Sequence, residues 1–127
     1  MFRNGGIVFL NRKKKEGSLL NQPGIRNTLV ALDSEFGKLA IELAGRVWAR
    51  PGLTQKERAF LCLAANVCNQ TVDGPFQIHL DMALKAGATP KEIREVLLHM
   101  AIYASFPKTL TAMKAFHKHL EERGIEL

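Results

Sequence analysis

The chain has 127 residues, of which 46% are apolar and 24% charged, the size and balance of one globular domain and not of a disordered or fibrous chain. Its net charge of +6 is uneven: Arg3, Arg12, Lys13, Lys14 and Lys15 supply +5, and residues 16–127 carry 13 basic against 12 acidic side chains. A basic leader on a neutral body is not the footprint of a phosphate-binding surface, so nucleic acid is not an expected partner.

Residues 1–24 read as an irregular N-terminal leader or arm, and 25–127 as a single helical domain. In the leader an apolar stretch precedes the basic run, the reverse of a secretory signal. No apolar run approaches the roughly 20 residues that span a bilayer, so a cytoplasmic protein without a membrane partner is expected. From Thr28, Leu29, Leu32, Phe36, Leu39 and Leu43 recur at helical spacing opposite Asp33, Glu35, Lys38 and Glu42, and Arg50-Pro51-Gly52 stops that helix. Thr54-Gln55-Lys56-Glu57 has the form of a capping box. The helix that follows, to Asn69, is apolar nearly all round through Phe60, Leu61, Cys62, Leu63, Ala64, Ala65 and Val67, which predicts a buried central element.

Cys62 and Cys68 lie on that helix, about 9 Å apart along its axis and about 120° apart around it. A disulfide needs Cα atoms within about 7 Å, so reduced core thiols are expected. Asp73-Gly74-Pro75 restarts the chain as a helix in which Phe76, His79, Leu80, Ala83 and Leu84 form one stripe, and Gly87 suits a left-handed residue after its end. Thr89-Pro90-Lys91-Glu92 is a second capping box, with Ile93, Val96, Leu97, Met100 and Ala101 as the apolar face that follows. Ser105-Phe106-Pro107 breaks this helix, and a last one runs from about Lys108 to Arg123, before Gly124. With no strand pattern of useful length, the fold class is all-α, a bundle of about five main helices.

Four landmarks in order carry a resemblance: Trp48-Ala49-Arg50-Pro51-Gly52-Leu53, His79-Leu80-Asp81-Met82-Ala83-Leu84, the segment Gly87 to His99, and the Ala-Ile-Tyr-Ala and Phe-Pro steps ending at Pro107. They resemble the carboxymuconolactone decarboxylase family, over roughly residues 36–117. The resemblance implies an AhpD-like helical fold, a homo-oligomer of trimeric or hexameric type, and one of two chemistries. One branch decarboxylates 4-carboxymuconolactone in aromatic catabolism. The other, similar to the alkylhydroperoxidase AhpD, reduces peroxides with a Cys-x-x-Cys pair before the shared histidine. Counted back from His79, that pair would fall at Val72 and Pro75, the histidine between them at Gly74, and the relay glutamate near Phe60. Only His79 remains, and thiol chemistry needs both a thiolate and a resolving partner, so the peroxidase mechanism is rejected.

The expected function is therefore a cofactor-free lyase acting on 4-carboxymuconolactone or a similar small carboxylated lactone. Loss of CO2 leaves electrons on the conjugated lactone, and an imidazole with a pKa of about 6.5 suits the general acid that quenches them, which points to His79. A structural histidine bonded to a backbone carbonyl is the plain alternative. Glu57 could orient a histidine or move a proton, or serve only its capping box. Glu95 and His99, four residues apart, can meet on one helix face, with Tyr103 a turn further, either in a site or at a subunit contact. A carboxylate substrate needs guanidinium partners; Arg46, Arg50, Arg58 and Arg94 are available, with Arg50, Arg58 and Trp48 named as substrate-binding candidates. His117 and His119, two apart near the C-terminus, read as a solvated end, and no metal-ligand spacing is present. The rival reading is a non-catalytic oligomer of the same fold that binds a ligand, or uses its basic leader as an interaction arm.

Overall fold

The computed structural model describes residues 23–127, so the leader expected over 1–24 lies almost wholly outside the described residues. These residues form six helices and no strand, an all-α chain, and they divide into two compact units, the first ending at Gln55 and the second starting at Lys56. Among the described residues no helix is long and apolar enough to cross a membrane.

In the first unit, the single helix expected from Thr28 is two, α1 (Pro23–Leu32) and α2 (Ser34–Trp48). Asp33 makes the break. Its backbone is extended (φ −158°, ψ 118°) and its carboxylate accepts the Phe36 N–H at 2.8 Å, so it caps α2 instead of continuing α1. An aspartate's short acceptor competes with the helical backbone in this way, and periodicity alone does not register it. Gly37 then sits against α1, where a Cβ would come 2.8 Å from the Leu29 and Val30 backbone. On the apolar side of this stretch, Leu32, Phe36, Leu39 and Leu43 are 55–77% exposed.

The second unit holds α3 (Gln55–Asn69, whose first residue closes the first unit), α4 (Pro75–Lys85), α5 (Pro90–Tyr103) and α6 (Phe106–Glu122). Stripes at helical spacing build its core: Ala59, Leu63 and Val67; Phe76, Leu80 and Ala83; Ile93 and Leu97; Ala112, Phe116 and Leu120. Burying each large member of this set contributes about 1.5–3 kcal/mol before the entropy of ordering it.

The helix α3 is not buried all round. Ala59, Leu63, Asn66 and Val67 face inward, while Leu61 is 60% exposed and Ala65 also faces out. Composition marked it as apolar, but only one side of this 15-residue helix is buried.

Polar contacts fix the connections. The α3 C-terminus closes as a Schellman turn, with Gln70 left-handed (φ 55°), its N–H on the Val67 carbonyl and the Thr71 N–H on the Asn66 carbonyl at 3.1 Å. The Gln70 amide and Lys108 ammonium bridge this end to the start of α6. Helix α4 starts at Gly74 (φ 74°) and Pro75. The Thr89–Glu92 capping box forms, and Lys56 Nζ reaches Glu92 at 3.2 Å to tie α3 to α5. The Thr89 N–H first, and Lys56 with it, holds the Glu92 carboxyl below its usual range.

Candidate functional site

The α4 stripe turns His79 into the second unit, where 8% of its surface is exposed. Asn66, the one polar residue on the buried face of α3, meets it there and is 6% exposed. The ring Nδ1 lies 2.6 Å from Asn66 Oδ1, and the Asn66 amide nitrogen donates to Thr71 Oγ1 at 2.7 Å. In this orientation the amide nitrogen lies on Thr71 and the oxygen faces the ring, where it can accept from an Nδ1–H. Burial alone pushes the His79 pKa below its ordinary 6.5, because a neutral amide does not offset the cost of a desolvated imidazolium.

Glu95 and His99 lie elsewhere. They line an open groove of about 780 Å³ between α3 and α5, whose apolar wall includes Phe60, Leu61, Ala64, Val96 and Ile102. This groove is lined from α3 and α5. Glu95 and His99 do not pair with each other. His99 packs on Tyr103, ring centroids 4.9 Å apart.

The other expected residues are dispersed. Glu57 is exposed in the first turn of α3, Arg58 beside it is half-buried, and each has an interaction partner. Arg94 is half-buried on α5, and its Nε lacks a hydrogen-bond partner among the described residues. Trp48 and Arg50 belong to the first unit: Trp48 is half-buried and its carbonyl accepts from Gln55 at 3.3 Å, while Arg50 is exposed and partnered. Arg46 is exposed and pairs with Glu42 at 3.5 Å.

The positions where a thiol relay would sit are occupied by other chemistry. Val72 is buried core, Gly74 caps a helix with positive φ, Pro75 opens it, and Phe60 is groove wall. Cys62 and Cys68 are free and half-buried. Burial pushes the Cys62 thiol up, away from the thiolate.

Two polar groupings went unread in the sequence. Asn66 could have been found as a lone amide inside an apolar helix. His119 is no solvated end: it is 1% exposed, its Nε2 lies 2.8 Å from Asp81 Oδ1, and Arg123 holds the same carboxylate at 3.0 and 3.1 Å. The periodicity of α6 puts His119 in register with Ala112 and Phe116, on the buried face, and His117 on the exposed one.

The chain is 36% identical over 78 residues to nitrosuccinic acid decarboxylase npaB of Metarhizium robertsii, covering 61% of this chain and 54% of that one. It is 31% identical over 81 residues to 4-carboxymuconolactone decarboxylase of Acinetobacter baylyi, covering 64% and 60%. The matched part thus spans between half and two thirds of the length of these relatives. No solved structure matches at comparable significance. The family model described as "Carboxymuconolactone decarboxylase family" matches residues 34–118, well over half of the chain, and the chain belongs to that family.

Proposed function

We propose that the protein is a cofactor-free decarboxylase of a small acid, 4-carboxymuconolactone or a carboxylated lactone like it, with His79 as proton donor. The observation that carries this reading is a buried imidazole, one nitrogen held at 2.6 Å by a neutral amide, in a chain whose two named relatives are both decarboxylases. Their substrates share a feature that explains the absence of a cofactor from the proposal. Loss of CO2 beside a nitro group leaves a nitronate, and loss from the lactone leaves an extended enolate, so the substrate is its own electron sink.

The step balances without an oxidant or reductant. The bond from ring carbon to carboxylate breaks, CO2 departs, and the electron pair stays on the conjugated system. The His79 imidazolium delivers a proton from Nε2, the ring is left neutral, and solvent returns the proton. Burial opposes the imidazolium; a bound carboxylate favours it by opposite charge. A donor of this kind acts in its protonated form, so kcat/KM falls as pH rises through the lowered His79 pKa.

The test is loss of ultraviolet absorbance from 4-carboxymuconolactone, with nitrosuccinate in parallel, for the purified protein and His79→Ala. Turnover of one substrate that drops about 10²–10⁴-fold in the variant supports the reading. A protein that turns over neither substrate, or a variant as active as the parent, overturns it.

The same proposal includes a homo-oligomer, trimer or hexamer. Leu98, Leu61, Tyr103, Ile102 and Phe106 are 48–78% exposed in the second unit, large apolar side chains that a subunit contact would cover. Light scattering on the eluting protein reads the state directly, and a monomer at micromolar concentration refutes this part.

A further inference from the structure

We propose that Asn66 is a positioning residue for His79: its side-chain oxygen keeps a proton on Nδ1, so that Nε2 alone gives and recovers the catalytic proton. The inference rests on the decarboxylase reading for its consequence, and on geometry for its premise.

An amide is buried in an otherwise apolar helix face. Along the inward face of α3, Ala59, Leu63 and Val67 are apolar, and Asn66 breaks the series at 6% exposure. A buried amide is costly unless both its ends are paired, and here both are. Its oxygen meets His79 at 2.6 Å, and its nitrogen meets Thr71 at 2.7 Å. The second contact is built by the backbone. The left-handed Gln70 turns the chain so that the Thr71 N–H bonds the Asn66 carbonyl, and this brings the Thr71 hydroxyl under the amide nitrogen.

An amide oxygen can only accept. While it faces Nδ1, that nitrogen keeps its hydrogen in the neutral ring and in the imidazolium alike. Protons then come and go at Nε2, and the ring need not turn or change partner during the step. The reversed amide would set an N–H against Nδ1, which suits a neutral ring protonated on Nε2 but opposes an imidazolium with its own Nδ1–H. A donor histidine therefore requires the orientation in which Thr71 holds the nitrogen. Substrate recognition is not part of this role, so its loss falls on kcat and not on KM.

The experiment joins a spectroscopic readout to a kinetic one on the full chain. Nitrogen-15 spectra of histidine-labelled protein identify which ring nitrogen of His79 is protonated at neutral pH. The parent is expected to show Nδ1–H, Asn66→Leu to shift toward Nε2–H, and Asn66→Asp to restore Nδ1–H through a carboxylate oxygen. With whichever of the two acids the parent decarboxylates, Asn66→Leu should lower kcat by at least about tenfold with KM nearly unchanged, and Asn66→Asp should recover most of it. Thr71→Val, a change at an exposed turn, should produce a smaller shift in the same direction, and it serves if Asn66→Leu fails to fold. An Nε2–H ring in the parent, or an Asn66→Leu or Thr71→Val protein that keeps the parent's tautomer and kcat, overturns the assignment. A parent that decarboxylates neither acid sinks the decarboxylase reading and the kinetic role with it, while the tautomer spectra still decide the premise separately.

Discussion

Two histidines of the second unit are buried and hydrogen-bonded, yet opposite nitrogens are engaged and the partners differ in charge. His79 offers Nδ1 to a neutral amide, and Nε2 is its other nitrogen. His119 offers Nε2 to the Asp81 carboxylate, which also holds Arg123, while its Nδ1 is sealed in the interior with no hydrogen-bond partner among the described residues. Beside a neutral acceptor, burial dominates and the ring favours its uncharged form. Beside a carboxylate with an arginine on it, the ring is one arm of a clamp between α4 and α6. Burial alone therefore does not distinguish the two rings; the charge of the partner does.

The largest effect that could break this comparison is kinetic. His79→Ala should cost about 10²–10⁴-fold in turnover, whereas His119→Ala should leave kcat within a few-fold. Equal losses from both would erase the distinction. The next is thermodynamic: His119→Ala empties core space and strips one partner from Asp81, so urea unfolding should show about 2–4 kcal/mol less stability. A loss below that range would mean that Arg123 alone carries the clamp. Thr89→Ala, a change at the α5 cap, should cost about 1 kcal/mol and leave kcat untouched, which calibrates what a purely structural change does.

The smallest effect is a pH slope. The folded His79 pKa lies below its ordinary 6.5, so the unfolded chain takes up the proton first. The neutral ring's contribution is complete above 6.5 and is lost as pH falls toward the folded value. His79→Gln should flatten the fall in urea midpoint across that window. An identical slope in both proteins would show that another group governs it.

Most of the helices were legible because their ends are written in local chemistry. Thr89 to Glu92 is a capping box in sequence and in structure, and Pro75 and Gly87 bound α4 as their backbone preferences require. Asp33 was the exception, since an aspartate on the polar side of a periodic stretch can decorate a helix or end it. The buried position of His79 was legible through its stripe. Asn66 was not, because an asparagine in an apolar helix announces only that it needs a partner. Nothing local says that the partner is 13 residues away on α4.

The all-α class, the helix boundaries set by Pro, Gly and capping residues, the family, and the lack of a relay cysteine pair can all be read from residue order. Each follows from interactions within a few residues or from identity at fixed spacing. Which faces are buried, the open side of α3, the His119 clamp and the meeting of Asn66 with His79 come from packing. Those outcomes depend on which helix lies against which, and the packing of four short helices selects one face of each. A periodic pattern offers candidate faces, and the partners choose among them.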